Sequence, residues 1–243
     1  MQNEARDVVL LHGWGSGASV WNALRGRLLG LRVSAPDLPG YGSSPLCTPC
    51  TAEILANAVA RSAPRRCDVV GWSLGGLVAL AWALSAPDQV RRLALIATTP
   101  SFLQRSGWPE GMAEDTFAGF ETAVANDPAG ALQRFALLQS QDDVQAKAVT
   151  RELRNLPTPR ATALAAGLGV LRSTDLRSRL HAVRAPTLVL QGERDRVVPA
   201  AAGERLSRLL PSAHYCTIRG AAHAPFLSDP AAVAAALQAH FDA

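Results

Sequence analysis

The chain predicts an α/β fold: a mainly parallel sheet wrapped by helices, with a helical segment inserted over one end. Three observations lead there. Short apolar runs alternate with helical patterns over the first hundred residues and again from about residue 187. From about 101 to 178 the alternation stops and a mostly helical pattern takes over. One strand also runs straight into a glycine-flanked serine and then a helix, at Asp68-Val69-Val70-Gly71-Trp72-Ser73-Leu74-Gly75-Gly76.

Each element has its own signal. Val8-Val9-Leu10-Leu11 reads as a buried strand, and a helix is expected near Val20 to Leu28. Arg32 to Ala35 is the next strand, followed by a helix near Thr51 to Ser62. The strand at Val69-Val70 precedes Ser73, and Leu77, Ala79, Leu80, Ala81, Ala83 and Leu84 carry a helix to about Ser85. Arg92 to Ala97 is a further strand, and Thr99-Pro100 closes the first half. The pattern resumes with a strand at Thr187 to Leu190, a helix from about Ala200 to Leu209, a strand at Tyr215 to Ile218 and a last helix from Pro230 to Phe241. Residues 1–100 and 179–243 are therefore expected to form one core, with 101–178 a helical lid in the same domain.

Composition narrows the function classes. With 243 residues, 48% of them hydrophobic, the chain can bury a sizeable core as one soluble domain. It has no 18-residue apolar run, so no membrane span is expected. Glu4 and Asp7, followed only by Val8 to Leu11, are too acidic and too short a start for a signal peptide, so a cytoplasmic protein is expected. A net charge of +4 without a Lys/Arg block argues against nucleic acid. Cys47 and Cys50 form a C-x-x-C in a loop-like, proline-rich stretch without a second ligand pair, and Cys67 and Cys216 read as small core residues. No metal is expected.

The chemistry centres on Gly71-Trp72-Ser73-Leu74-Gly75, the pattern G-x-S-x-G. In a strand–elbow–helix turn the serine hydroxyl stands clear of the sheet, and a Cβ at 71 or 75 would collide across the turn. A serine is a poor nucleophile unless an imidazole takes its proton and a carboxylate holds that imidazole in the right tautomer. Asp195 follows the strand at 187–190 and His223 follows the strand at 215–218, where ligand sites of open α/β sheets lie. The chain order Ser, Asp, His is that of this architecture. Glu193 and Asp175 compete with Asp195, which is favoured by its loop position. His181 and His240 sit in helical pattern.

A second glycine-rich run admits two readings. Gly13, Gly15 and Ala18 fit G-x-G-x-x-G/A, with Asp37 near the place of a ribose-binding acid, which would mean a dinucleotide cofactor. Against it stand His12 before the glycines and the proline-bent turn Asp37-Leu38-Pro39-Gly40-Tyr41-Gly42. The favoured reading makes His12-Gly13-Trp14-Gly15 an oxyanion loop. There the backbone N–H of Trp14 and of Leu74, at a helix start, hold a negative oxygen, and no cofactor is needed.

Together these residues resemble a known family. The chain is similar to the α/β-hydrolases, and among them to the pimeloyl-acyl-carrier-protein methyl ester carboxylesterases of biotin synthesis. The matching runs are Leu10 to Gly15, Asp37 to Gly42, Gly71 to Gly76, Gly107-Trp108-Pro109, Arg134-Phe135 with Gln139, and Ala222-His223-Ala224-Pro225-Phe226. The resemblance implies an esterase that removes a methyl group from a pimeloyl chain carried on a phosphopantetheine arm. It also implies substrate contacts at Trp14, Ser73, Leu74, His223 and the stretch from Phe135 to Gln139. Arg134, Lys147 and Arg151 stand where the family's basic lid residues receive an acidic acyl carrier protein, whereas Gly130 fills another such position. Only about seven residues precede the first strand where the family has a leading hairpin, so a shorter or more exposed sheet edge is expected. A monomer is expected.

The lid also has a physical reading. Phe117, Phe120, Val124, Leu132, Phe135, Leu137 and Leu138 give an apolar face, most of it for packing on the core and a few, Phe135 first, for an acyl pocket. Lys147, Arg151 and Arg154 share one helix face and repel each other. Either an acidic partner neutralises them, or they form a solvated face relieved by Asp143 and Glu152. The same scaffold also serves short-chain esterases, carbon–carbon-bond hydrolases and idle receptors.

Overall fold

A computed structural model describes residues 5–243. Among them, six strands form one sheet: β1 (Arg6–Leu11), β2 (Leu31–Ser34), β3 (Cys67–Trp72), β4 (Val90–Ile96), β5 (Thr187–Gly192) and β6 (Ala213–Ile218). Their order is β2-β1-β3-β4-β5-β6 and every pairing is parallel. The order reverses between β1 and β3, the switch point beyond whose strand ends α/β sheets bind ligands. No helix among the described residues is long and apolar enough to cross a membrane.

The period-two alternation of a strand divides the core into two layers. In β1, Val9 and Leu11 face one layer while Val8 and Leu10 face the other. On the first side pack α2 (Ala52–Ser62), α3 (Leu74–Ser85) and α8 (Ala200–Leu209). On the second lie the short α1 (Asn22–Arg25), α9 (Pro225–Ser228) and α10 (Pro230–Asp242). Helix α3 is apolar all round and buried along almost its whole length, as its alanine- and leucine-rich sequence requires. Trp21, Trp72 and Phe226 stack within the second layer, with ring centroids 4.3 to 6.5 Å apart. Burying a ring of this size contributes about 4–6 kcal/mol at most.

Between β4 and β5 the chain builds a helical roof from α4 (Glu114–Asn126), α5 (Pro128–Gln139), α6 (Ala146–Arg154) and α7 (Ala161–Ser173). Arg172 on α7 ties it together through Glu114 and Glu121 of α4.

Three expectations need correction. Residues 20–28 do not form one helix: a 3₁₀ turn at Ala18–Trp21 leads into α1, which ends at Arg25 before Gly26, a weak helix former. Residues 101–113 are not helical either. Bridges pair Leu103 with Met112 and Arg105 with Trp108, because Gly107-Trp108-Pro109-Glu110-Gly111 is rich in helix breakers. Leu137 is half exposed instead of packed on the core. Strand β2, four residues long, forms one edge of the sheet. What the N-terminal reading drew from Glu4 falls outside the described residues.

Candidate active site

Strand β3 delivers Ser73 into a sharp turn. Its φ of +53° and ψ of −118° lie where few non-glycine residues rest, a strain of about 1–3 kcal/mol held by its surroundings. Two bonds hold the backbone there: Ser73 N–H donates to Ile96 O at 2.9 Å, and the Thr98 hydroxyl donates to Ser73 O at 2.7 Å. A Cβ at Gly71 would strike the Gly75 carbonyl, and one at Gly75 the carbonyls of Leu11 and His12. That close pass draws together the two segments that carry Trp14 and Leu74. Leu74 opens α3, so its N–H has no partner within the helix and lies at the positive end of the dipole.

The loops after β5 and β6 complete the constellation. His223 Nε2 stands 3.1 Å from Ser73 Oγ, and His223 Nδ1 stands 2.8 Å from Asp195 Oδ2. A carboxylate only accepts, so the imidazole proton sits on Nδ1 and the lone pair of Nε2 faces the serine. All three side chains are buried. Asp195 Oδ1 also accepts the N–H groups of Val197 and Val198, at 2.8 and 2.9 Å, and Oδ2 accepts the amide of Gln191 at 2.8 Å. So satisfied, this carboxylate is a fixed acceptor aimed at His223.

The loop after β1 is set by His12. Its Nε2 accepts Leu38 N–H at 3.0 Å, so its proton is on Nδ1, which donates to Gly13 O at 2.9 Å. Burial pushes its pKa down to about 4. Asp37, the acid of the cofactor reading, caps the following turn by accepting Ala18 N–H at 2.8 Å. The indole of Trp14 donates to Leu164 O on α7 at 2.9 Å, which anchors this loop to the roof.

Above Ser73 lies an apolar cavity of about 100 Å³ lined by Trp14, Phe102, Phe117, Phe120, Phe135, Leu138 and Val197, among others. Trp14, Phe120 and Phe135 meet edge-on or tilted at 5.2–5.3 Å between centroids. Gln139 stands with Trp14 and Phe135 on a smaller cleft next to it. Its backbone oxygen accepts His223 N–H at 3.0 Å, while its buried Oε1 finds no partner among the described residues. Arg134, Lys147 and Arg151 are exposed and line one groove of about 850 Å³ between α5 and α6, together with Leu137. Arg134 reaches Asp127 at 3.6 Å and Arg151 reaches Glu152 at 4.0 Å. At Gly130, Asp127 Oδ1 caps the backbone N–H at 2.9 Å.

Several residues of this site escaped the sequence reading. Trp72, a variable position of the serine motif, donates its indole N–H to His223 O at 2.8 Å. Gln191 is the last residue but one of β5, and its position before the acidic loop was its only signal. Thr98 carried none, and Asp143, expected to relieve the basic face of the lid, is instead buried with its carboxylate on the Ala222 N–H.

A hydroxyl, an imidazole and a carboxylate in hydrogen-bonded series beside an apolar cavity can run acyl transfer through a covalent intermediate. Comparison with known proteins agrees with this geometry. Residues 8–230 match the alpha/beta hydrolase fold family. The pimeloyl-acyl-carrier-protein methyl ester esterase of Aromatoleum aromaticum is 44% identical, over 92% of this chain and 93% of its own length. That of Aeromonas hydrophila is 39% identical, over 92% and 91%. An esterase from Exiguobacterium antarcticum shares the fold at a TM-score of 0.87 and 22% identity, covering 98% of this chain and 92% of that one. With the elbow, the relay and the helical roof all in place, the chain belongs to the alpha/beta hydrolase family and, within it, with the pimeloyl-acyl-carrier-protein methyl ester esterases.

Proposed function

We propose that this protein is a cytoplasmic, monomeric serine carboxylesterase that removes the methyl group from a pimeloyl chain carried on acyl carrier protein. Ser73 Oγ attacks the ester carbonyl while its proton passes to His223 Nε2, and the carbonyl oxygen takes up the negative charge. The backbone N–H groups of Trp14 and Leu74 hold that oxyanion. As the carbonyl re-forms, the C–OCH₃ bond breaks and His223 returns the proton to the departing methanol. Water then repeats the sequence on the acyl-enzyme, releasing the carboxylate and restoring the serine. Asp195 keeps His223 in the working tautomer throughout. Phe135 and Gln139 flank the acyl chain, and Arg134, Lys147 and Arg151 receive the acidic carrier.

The observation that carries the reading is the relay itself, 3.1 Å from Ser73 Oγ to His223 Nε2 and 2.8 Å from His223 Nδ1 to Asp195 Oδ2, opening on an apolar cavity. The names of the relatives supply the substrate. The test is hydrolysis of pimeloyl methyl ester, free and carrier-bound, beside short p-nitrophenyl esters, by wild type and by Ser73→Ala. The variant should stay folded and lose about three or more orders of magnitude in rate. A folded Ser73→Ala enzyme that kept a tenth of its activity would overturn the mechanism. A wild type that hydrolysed only the short esters would overturn the substrate and leave a general short-chain esterase.

A further inference from the structure

The corner between α5 and α6 holds a buried carboxylate that the chemistry above does not use. Asp143 is 7% exposed. Its Oδ2 accepts the backbone N–H of Ala222, the residue before His223, at 2.6 Å. Its Oδ1 accepts the hydroxyl of Ser228 on α9 and the backbone N–H of Gln145, both at 2.7 Å. A carboxylate taken from water is costly unless its lone pairs find donors, and here both oxygens do. Donors from three separate segments converge on one side chain, and one of those segments carries the imidazole.

The rest of the corner joins the same loops. Gln139 O accepts His223 N–H, and Val144 N–H donates to Gly220 O at 2.9 Å. Arg194 and Arg196, the two neighbours of Asp195, both bind Asp142, one at its backbone oxygen and the other at its carboxylate. The turn that presents Asp143 therefore touches the chain on both sides of Asp195 and ahead of His223. We propose that Asp143 is a positioning residue: by gripping the Ala222 N–H it sets where the His223 imidazole stands between Asp195 and Ser73. The inference rests on the relay proposed above. Its force comes from distance: a reacting group misplaced by about 1 Å costs about 100-fold in rate.

The side chain's two oxygens make the test specific. Asn at 143 can keep its oxygen on Ala222 N–H and turn its amide toward the Ser228 hydroxyl, which can accept as well as donate, giving up only the local bond from Gln145 N–H. Ala can do neither. With a short p-nitrophenyl ester, Asp143→Ala should lower kcat about 100-fold with KM unchanged, and Asp143→Asn should restore most of it. The low-field proton resonance of His223 Nδ1–H reports the geometry without any turnover. It should shift or broaden in Asp143→Ala and return in Asp143→Asn. Two results would overturn the proposal: a folded Asp143→Ala enzyme with normal kcat and an unmoved resonance, or Ala and Asn variants equally slow and equally destabilised. If Asp143→Ala does not fold, Ser228→Ala removes one of the carboxylate's donors and should give a smaller shift of the resonance with a smaller loss of kcat. No change in either would reject the positioning role. Failure of the relay itself would appear separately, as an active Ser73→Ala enzyme.

Discussion

Lowering the pH from 7 to 4 should cost the fold about 3 kcal/mol through one side chain, His12. The imidazole is wholly buried, and its two nitrogens are committed in opposite senses, one accepting Leu38 N–H and the other donating to Gly13 O. A second proton would set an N–H against the Leu38 N–H and bring a charge into the core. Burial therefore holds the folded pKa at about 4 against an ordinary 6.5, a gap opposed only in part by the Gly13 carbonyl and by Asp37. At about 1.4 kcal/mol per unit the whole gap is worth about 3.5 kcal/mol, of which about 3 is lost by pH 4, where half of the folded protein carries the proton. The sign follows from proton binding. Below 6.5 the unfolded chain binds a proton that the folded chain refuses until about 4, so this stabilisation is complete above 6.5 and is lost as the pH falls between those values. His240, also lowered by burial, acts in the same direction, so the share of His12 must be isolated by difference. His12→Gln can keep an oxygen on Leu38 N–H and does not titrate. Urea unfolding of both proteins from pH 7 to 4 should show the wild-type advantage shrinking by about 3 kcal/mol. Parallel stability curves would refute the argument. The loop in question carries Trp14, so acid should disturb the site through this loop as the fold weakens.

Three further outcomes are expected. Asp195→Asn should fold but lose about 10⁴ in kcat, because the amide would keep its oxygen on the Val197 and Val198 N–H groups and turn NH₂ toward His223, enforcing the wrong tautomer; steady-state kinetics with circular dichroism as a fold control would check it, and normal turnover would reject the relay. Changing Arg134, Lys147 and Arg151 together to Glu should raise KM for the carrier-bound ester about 10- to 100-fold at low salt and leave a small neutral ester unaffected. Equal effects on both substrates would mean that the three support the roof and not the partner. Phe117→Ala should cost about 3–5 kcal/mol in thermal or urea unfolding and shift the preferred p-nitrophenyl ester toward longer chains, since this fully buried ring lines the cavity beside Ser73. An unchanged chain-length profile would remove it from the acyl pocket.

What was legible in the sequence was what local sterics decide. The elbow could be read because Gly71 and Gly75 answer a collision set by residues a few positions away. The loops of Asp195 and His223 could be read because strands announce themselves and their carboxyl ends hold the chemistry. Helix α8 runs over the expected Ala200 to Leu209 for the same reason. Asp143 was invisible: its partners Ala222 and Ser228 are 79 and 85 residues away, and nothing near it in the chain distinguishes it from a surface aspartate. Leu137 was misjudged because α5 is apolar on more than one side, so periodicity alone does not say which side meets the core. The stretch 101–113 was absorbed into a helical lid because residues such as Leu103, Gln104, Met112 and Ala113 suit a helix, although its glycines and proline do not.

The roof is tied down at both ends. Arg172 makes α4 and α7 one unit, Trp14 holds that unit to the loop after β1, and Gln139, Asp143 and Val144 hold the far corner to the histidine loop. A structure fastened in this way does not lift like a flap. Passage to Ser73 falls instead to side chains, and Phe120, Phe135 and Leu138, all only partly buried, are the ones that can swing aside. Rotations of that kind take about picoseconds to nanoseconds when exposed, far faster than the hinge motions that set the pace of many lidded enzymes. Turnover here should then be insensitive to solvent viscosity, and the range of esters accepted should change through the volume of these three side chains before any change in the backbone above them.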